Sequence, residues 1–179
     1  MKRILIIIFV LLFAVSLSGC NQNKSSEVDE DKDTPRDEAG ITGYVMAMEN
    51  GRILVVNPDA QDFSATGGVK EFYNAIWFSN VPQDIKLGER VNVWYDLVME
   101  SYPGQSEVKH IEVIPSEKPE GVNLTEAEAL SKALTSQEIN ANEITVVKDI
   151  AYNNKTNKWN INLKQIWSDE IYNIQVEDK

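Results

Sequence analysis

The chain has 179 residues, with 17 basic and 28 acidic side chains, one cysteine and one histidine. A single cysteine excludes an internal disulfide, and one cysteine with one histidine excludes a zinc site of the usual Cys/His kind. The net charge of -11 argues against a nucleic-acid partner, because basic side chains drive binding to duplexes.

Residues 1–19 have the features of a lipoprotein signal peptide. A basic start, Met1 to Arg3, precedes an uncharged run of 14 residues from Ile4 to Leu17. That run is too short for a permanent transmembrane helix, which needs about 20 apolar residues. The sequence Leu17-Ser18-Gly19-Cys20 resembles the lipobox of bacterial lipoproteins, in which cleavage after Gly19 leaves an acylated Cys20 as the first mature residue.

We therefore expect a lipid anchor on Cys20, carrying acyl chains such as palmitate, at the outer face of the cytoplasmic membrane. Two acyl chains hold a protein stably, at about 0.8 kcal/mol per buried methylene. The alternative is an ordinary signal peptide with a chance cysteine. Acylation uses up the only thiol, so no cysteine remains for redox or nucleophilic chemistry.

Residues 20–39 are predicted to form an acidic, disordered tether. They contain seven acidic and three basic side chains, and too few apolar ones to offset the entropy of ordering. Asp29, Asp31 and Asp33 alternate like calcium-loop ligands, but no glycine turn or final glutamate follows, so we expect no metal site. Without the signal peptide the chain has 15 basic and 28 acidic groups, a net charge of -13.

Residues 40–118 are predicted to form a small five-stranded OB-like β-barrel. Asn50-Gly51 lies between two apolar runs, which is the strongest short signal for a β-hairpin. Five strands in a short stretch, with turn signals at near-regular spacing, favour a small barrel, although barrels of other topology fit nearly as well. The predicted strands are Ile41–Met48, Arg52–Asn57, Glu71–Ser79, a strand through Val91 and Val93, and Glu107–Ile114, with a turn at residues 101–105.

Residues 119–179 are predicted to form an α+β unit, which makes the whole body mostly β. Thr125 and Glu128 have the spacing of a capping box that begins a helix running to about Thr135. Three runs with apolar alternation follow, at residues 143–152, 158–166 and 170–176, and predict a three-stranded antiparallel sheet covered by that helix. The order of elements resembles PepSY-type units of secreted bacterial proteins, in pattern only.

The segment Gly43–Ile114 also resembles a known family, the YobA-like lipoproteins of Bacillus type, a domain of unknown function. The matching pieces are Gly43-Tyr44-Val45, Arg52-Ile53-Leu54-Val55, Ala75-Ile76-Trp77-Phe78-Ser79, Leu87-Gly88-Glu89-Arg90-Val91 and Glu100-Ser101-Tyr102-Pro103-Gly104-Gln105. The lipobox and the acidic tether are typical of that family too. The resemblance implies no catalytic residue, because the family is uncharacterised.

No residue pattern points to catalysis, a metal or a cofactor. His110 stands beside Glu112 in a predicted strand, but no Gly-x-Ser-x-Gly or Ser-x-x-Lys pattern accompanies it, so we interpret it as a surface histidine. Gly67-Gly68 lacks the lysine of a phosphate loop and is interpreted as a plain loop. The many carboxylates leave a two-acid hydrolase open, although no spacing singles out a pair.

Aromatic side chains give the better candidate site. Trp77, Trp94 and Tyr102 form a candidate binding surface if the third, fourth and fifth strands adjoin, although packing in the core or between the two units is the commoner role of tryptophan, which is mostly buried. Trp167 is predicted to pack against the barrel. We expect a non-catalytic module that binds an envelope protein, a peptide or a glycan, with no nucleic acid. The alternatives are a carboxylate-dependent hydrolase of envelope polymers and a regulator of a secreted protease.

Overall fold

The structure is a computed structural model that describes residues 38–137, 139 and 143–179. The predicted signal peptide, Gly19, Cys20 and almost all of the predicted tether lie outside the described residues. The residues that the structure describes all fall within one compact unit. Within them, every helix is too short or too polar to span a bilayer.

The secondary structure of the described residues is mostly β. A short 3-10 turn, Ser64–Thr66, lies between the second and third strands. In chain order the strands and the helix are β1 Ile41–Glu49, β2 Arg52–Val56, β3 Ala75–Ser79, β4 Arg90–Trp94, β5 Gly104–Glu107, β6 His110–Ile114, α1 Glu126–Leu134, β7 Thr145–Asn153, β8 Lys158–Gln165 and β9 Ile171–Glu177.

The first six strands form one sheet in the order β5-β3-β2-β1-β4-β6. The β1–β2 hairpin turns at Asn50 and Gly51, whose φ angles of 51° and 73° lie in the left-handed region that Asn-Gly tolerates. The predicted hairpin is therefore confirmed. The antiparallel pairs are β1–β2, β1–β4, β2–β3 and β4–β6, whereas β3 and β5 run parallel.

The prediction of a single fifth strand over Glu107–Ile114 is wrong. The structure has two strands there, because the chain changes its hydrogen-bonding partner at Val108 and Lys109. Val108 N donates to Ser79 O at 3.0 Å, and Lys109 N donates to Trp94 O at 2.9 Å. As a result β5, which includes part of the predicted turn 101–105, pairs with β3, and β6 pairs with β4.

The sheet is not closed by hydrogen bonds among the described strands. β5 and β6 are its two edges, so the predicted OB-like barrel is not found as a closed barrel. The coarser prediction holds: the body is mostly β, with one helix and a separate three-stranded antiparallel sheet.

Two apolar clusters hold the body together. The inner cluster lies within the first sheet and consists of Ile41, Val45, Ile53, Val55, Ile76, Phe78, Ile85, Val91, Val93 and Val108. The shared cluster joins the outer face of that sheet to the helix and the second sheet, and it includes Leu54, Val56, Tyr73, Leu130, Trp159, Ile161 and Leu163. β2 contributes to both clusters, which explains its uninterrupted apolar run, since both of its faces are covered.

The second sheet has the order β7-β8-β9 and is covered by α1, as predicted. The capping box is confirmed, because Glu128 N donates to Thr125 Oγ1 at 3.2 Å and Thr125 N donates to Glu128 Oε2 at 2.7 Å. In β8 the buried and half-buried positions alternate, as the sequence indicates. Both predicted units contribute to the shared cluster, and a boundary between residues 118 and 119 stays a prediction.

Candidate functional site

Trp77 lies at the centre of the candidate site. It stands in β3 between buried Ile76 and buried Phe78, so its side chain points to the outer face of the sheet. The Arg52 guanidinium from the neighbouring strand β2 lies 5.1 Å from the centre of the Trp77 ring. This stacked arrangement is a cation–π contact, which orders the guanidinium before any ligand arrives.

A surface groove of about 370 Å³ opens beside Trp77. The segment that follows β4 forms one wall, and two of its apolar side chains stand in solvent: Leu97 is 84% exposed and Met99 is 67% exposed. Two hydrogen bonds hold this segment along β5, from Ser106 Oγ to Leu97 O at 2.6 Å and from Met99 N to Gln105 O at 2.9 Å. The groove is lined by Arg52, Trp77, Ser79, Asp96, Leu97, Met99, Gln105, Ser106, Glu107 and Lys109.

The groove carries charges of both signs. Lys109 Nζ lies 3.5 Å from Asp96 Oδ2, and Arg52 lies 3.9 Å from a carboxylate oxygen of Glu49 on the hairpin. Both pairs are solvent-exposed, so each ion pair contributes little to stability, and a polar ligand can compete for the Lys109 and Arg52 cations at small cost. The groove therefore offers an indole ring, two cations, two acids and apolar walls that can adapt to a ligand. The cations are Arg52 and Lys109, and the acids are Asp96 and Glu107.

Trp94 lies in a different neighbourhood from Trp77. Its ring packs against the His110 imidazole across the β4–β6 pair, with ring centres 5.0 Å apart. His110 Nε2 in turn lies 3.0 Å from Glu112 Oε1. Trp94 is half-buried and does not line the groove, so the expected association of Trp94 with Trp77 is not what the structure shows.

Tyr102 lies in a third neighbourhood. Its hydroxyl donates to Tyr73 O at 2.7 Å, and burial raises the pKa of Tyr102 to about 12. Its ring contacts Phe72 and Trp167, with ring centres 5.5 Å and 4.7 Å apart. Trp167 of the C-terminal unit therefore touches the β4–β5 connection through this ring contact, while most of its side chain stays exposed. Of the three predicted aromatic residues, the structure places Trp77 alone in the groove.

Sequence reasoning missed the other groove residues. Arg52 adjoins Trp77 only because β2 pairs with β3, a contact that spacing along the chain does not reveal. The sequence does contain an indication of the apolar wall. Three apolar residues in succession are unusual in a solvent-exposed loop, and such a run occurs at Leu97, Val98 and Met99. Among the described residues there is no group of three or more His, Cys, Asp or Glu side chains that could hold a metal ion.

Comparison with known proteins places this groove within a recognised family segment. Residues 42–115 match the family described as "Protein of unknown function (DUF3221)". The chain is also similar to the "Uncharacterized protein YobA" of Bacillus subtilis (strain 168), with 25% identity over 119 residues, which are 60% of this chain and 94% of YobA. No solved structure matches the chain. The resemblance seen over Gly43–Ile114 is therefore confirmed: residues 42–115 match this family of unknown function, and the chain is similar to YobA.

Proposed function

We propose that the chain is a membrane-anchored extracytoplasmic lipoprotein whose folded body binds a ligand at the cell envelope without catalysing a reaction. The lipobox at residues 17–20 and the acidic tether support the anchor. The groove supports the binding role, and one observation carries it: Arg52 is stacked on Trp77 beside the exposed side chains of Leu97 and Met99.

The chemistry of the groove suits a ligand with apolar and polar parts. Tryptophan and arginine are the residue types that most often dominate binding energy at interfaces, and methionine adapts to the shape of a partner. The polar side chains around the groove supply donors and acceptors for a peptide backbone or for sugar hydroxyls. An envelope protein, a peptide or a glycan fits this description.

A photo-crosslinking amino acid at Gln105, which is exposed and lines the groove, tests the binding role on intact cells. The matched control carries the same amino acid at Asn154, an exposed residue in the turn between β7 and β8. We expect a discrete adduct from the Gln105 position that the Asn154 position does not give. Identical adduct patterns at both positions, or none at either, would count against the groove as a binding site.

The groove also contains two carboxylates, Asp96 and Glu107, which favours the hydrolase as the second candidate. A two-acid hydrolase uses one such group as a general acid. Soluble fragments released from purified cell walls, and lost in Glu107→Gln, would support the enzyme instead.

We also propose that the first sheet is an OB-like barrel. Its two edge strands, β5 and β6, are held beside each other by the short peptide link between them and not by strand pairing. β5 and β6 are joined by two residues only, Val108 and Lys109, and Val108 belongs to the inner cluster. Nuclear Overhauser contacts from Val108 to Ser79, together with contacts from Lys109 to Trp94, are expected in solution. The absence of either set would show an open sheet.

A further inference from the structure

Four aromatic rings from three distant chain segments form a row on the surface. Phe63 packs on Phe72, Phe72 on Tyr102 and Tyr102 on Trp167, with ring centres 5.5 Å, 5.5 Å and 4.7 Å apart. We call these four residues the aromatic row. The groove beside Trp77 has none of them in its lining, so the row is a separate feature.

Both ends of the aromatic row stand in solvent. Phe63 is 43% exposed and Trp167 is 68% exposed. Val69, whose carbonyl oxygen accepts a hydrogen bond from Phe63 N at 2.9 Å, is 59% exposed and extends the apolar surface. Exposed aromatic and aliphatic side chains that adjoin one another mark an interaction surface, particularly on a chain with a net charge of -13 after loss of the signal peptide.

The aromatic row lies at the end of the first sheet from which the tether leads to the membrane. The starts of β1, β3 and β5 and the ends of β2 and β4 lie at this end, because neighbouring strands alternate in direction apart from the parallel β3–β5 pair. Phe63 and Phe72 belong to the β2–β3 loop, and Tyr102 belongs to the β4–β5 connection. Tyr95 in that connection also donates to Gly40 O at 3.4 Å, directly before β1.

We infer that the aromatic row docks on the headgroup layer of the lipid bilayer that holds the anchor. This inference rests on the proposed lipid anchor at Cys20. Twenty residues separate Cys20 from Gly40, and a chain of that length reaches at most about 70 Å even when fully extended, so the anchor keeps the body within that reach of the bilayer. At such a short distance a weak affinity suffices, because docking is intramolecular in effect.

The side chains of the row suit this environment. Tryptophan and phenylalanine rings bind at the boundary between headgroups and acyl chains, where an apolar body and a polar edge are both accommodated. The folded body is acidic, with 12 basic and 21 acidic groups from Gly40 onward, so anionic lipids repel it. Docking is therefore driven by apolar contact, and it is stronger on phosphatidylcholine than on phosphatidylglycerol at low salt.

The test uses the acylated full-length mature chain, purified from membranes and reconstituted in phosphatidylcholine vesicles. Sedimentation with the vesicles reports the anchor, and quenching of tryptophan fluorescence by nitroxide-labelled lipid reports docking. We expect quenching and a blue shift of the emission in the wild type, loss of both in Trp167→Phe because the reporter is removed, and their retention in the control Trp94→Phe.

Each outcome decides a different claim. Sedimentation with vesicles but no quenching would overturn docking and leave the anchor supported. The same result is expected if the aromatic row binds a protein instead of lipid. Quenching that persists in Trp167→Phe would show that another surface faces the lipid. A chain that does not sediment with vesicles would contradict the anchor and, with it, the docking. In Phe63→Ser, which keeps Trp167 as reporter, the quenching is expected to fall.

Discussion

A small polar network connects the segment before β3 with the second sheet. The Glu71 carboxylate accepts hydrogen bonds from Lys164 and from the Tyr73 hydroxyl, the latter at 3.2 Å. Lys148 Nζ donates to the Tyr73 hydroxyl at 2.7 Å and lies 5.2 Å from the centre of its ring. The hydrogen bond from Lys164 lowers the pKa of Glu71, and the same bond raises the pKa of Lys164.

The Glu71 carboxylate should make stability depend on pH. Its pKa in the folded state lies below the ordinary 4.5, so its contribution is present above that value and is lost as the pH falls through the lowered pKa. We expect Glu71→Gln to lower the urea midpoint at about pH 7, and we expect its difference from the wild type to shrink as the pH falls through the lowered pKa of Glu71. Asp169→Asn, which alters the more exposed partner of Lys164, should have a smaller effect. A loss from Glu71→Gln that stays the same as the pH is lowered would contradict this role.

At the scale of elements, Gly88 lets the loop before β4 lie directly against α1. Its φ is +87°, and a Cβ atom there would stand 2.4 Å from Ala127 O and 2.8 Å from Ser131 N. We expect Gly88→Ala to destabilise the protein by about 1–3 kcal/mol beyond backbone strain, because the atoms that the added Cβ would meet belong to the helix backbone and not to a flexible side chain. Gly121→Ala is the control, since Gly121 has a φ of +77° with nothing within 4 Å. Equal losses in urea unfolding of the two variants would show that the contact is not tight.

Because β2 packs in both apolar clusters, we expect the two sheets to unfold together. Leu54 is 3% exposed and packs in the shared cluster, so Leu54→Ala should cost about 2–5 kcal/mol. We expect the urea transition of this variant to remain single, whether it is followed by tryptophan fluorescence or by circular dichroism. Met48→Ala, in the exposed end of β1, should have little effect. Two separate transitions would show that the second sheet does not depend on β2.

Local patterns determine which elements the sequence predicts well. The Asn50-Gly51 hairpin, the Thr125 capping box and the alternation in β8 each depend on neighbours in the chain, and all three are confirmed. The division of β5 from β6 depends on a change of partner at Val108, which leaves no local trace. The site follows the same rule: the sequence singles out Trp77 as an aromatic candidate, whereas its partner Arg52 is known only once the strands pair.

At the scale of the whole molecule, the body has two surfaces with different chemistry. The groove beside Trp77 mixes charges with apolar walls, whereas the aromatic row is apolar and lies at the end where the described chain begins. This arrangement suits a protein held close to a membrane, with one surface toward the lipid and another open to a ligand. Both proposals depend on the lipid anchor, which makes Cys20 the central residue of the account.

Cell fractionation of a Cys20→Ser variant tests that anchor most directly. The wild-type chain is expected in the membrane fraction, because the acyl chains on Cys20 hold it there. Cys20→Ser removes the acylated atom, so the variant should no longer be held by acyl chains and should appear in the medium or in the soluble fraction. A Cys20→Ser chain that stays in the membrane fraction to the same extent as the wild type would contradict the account.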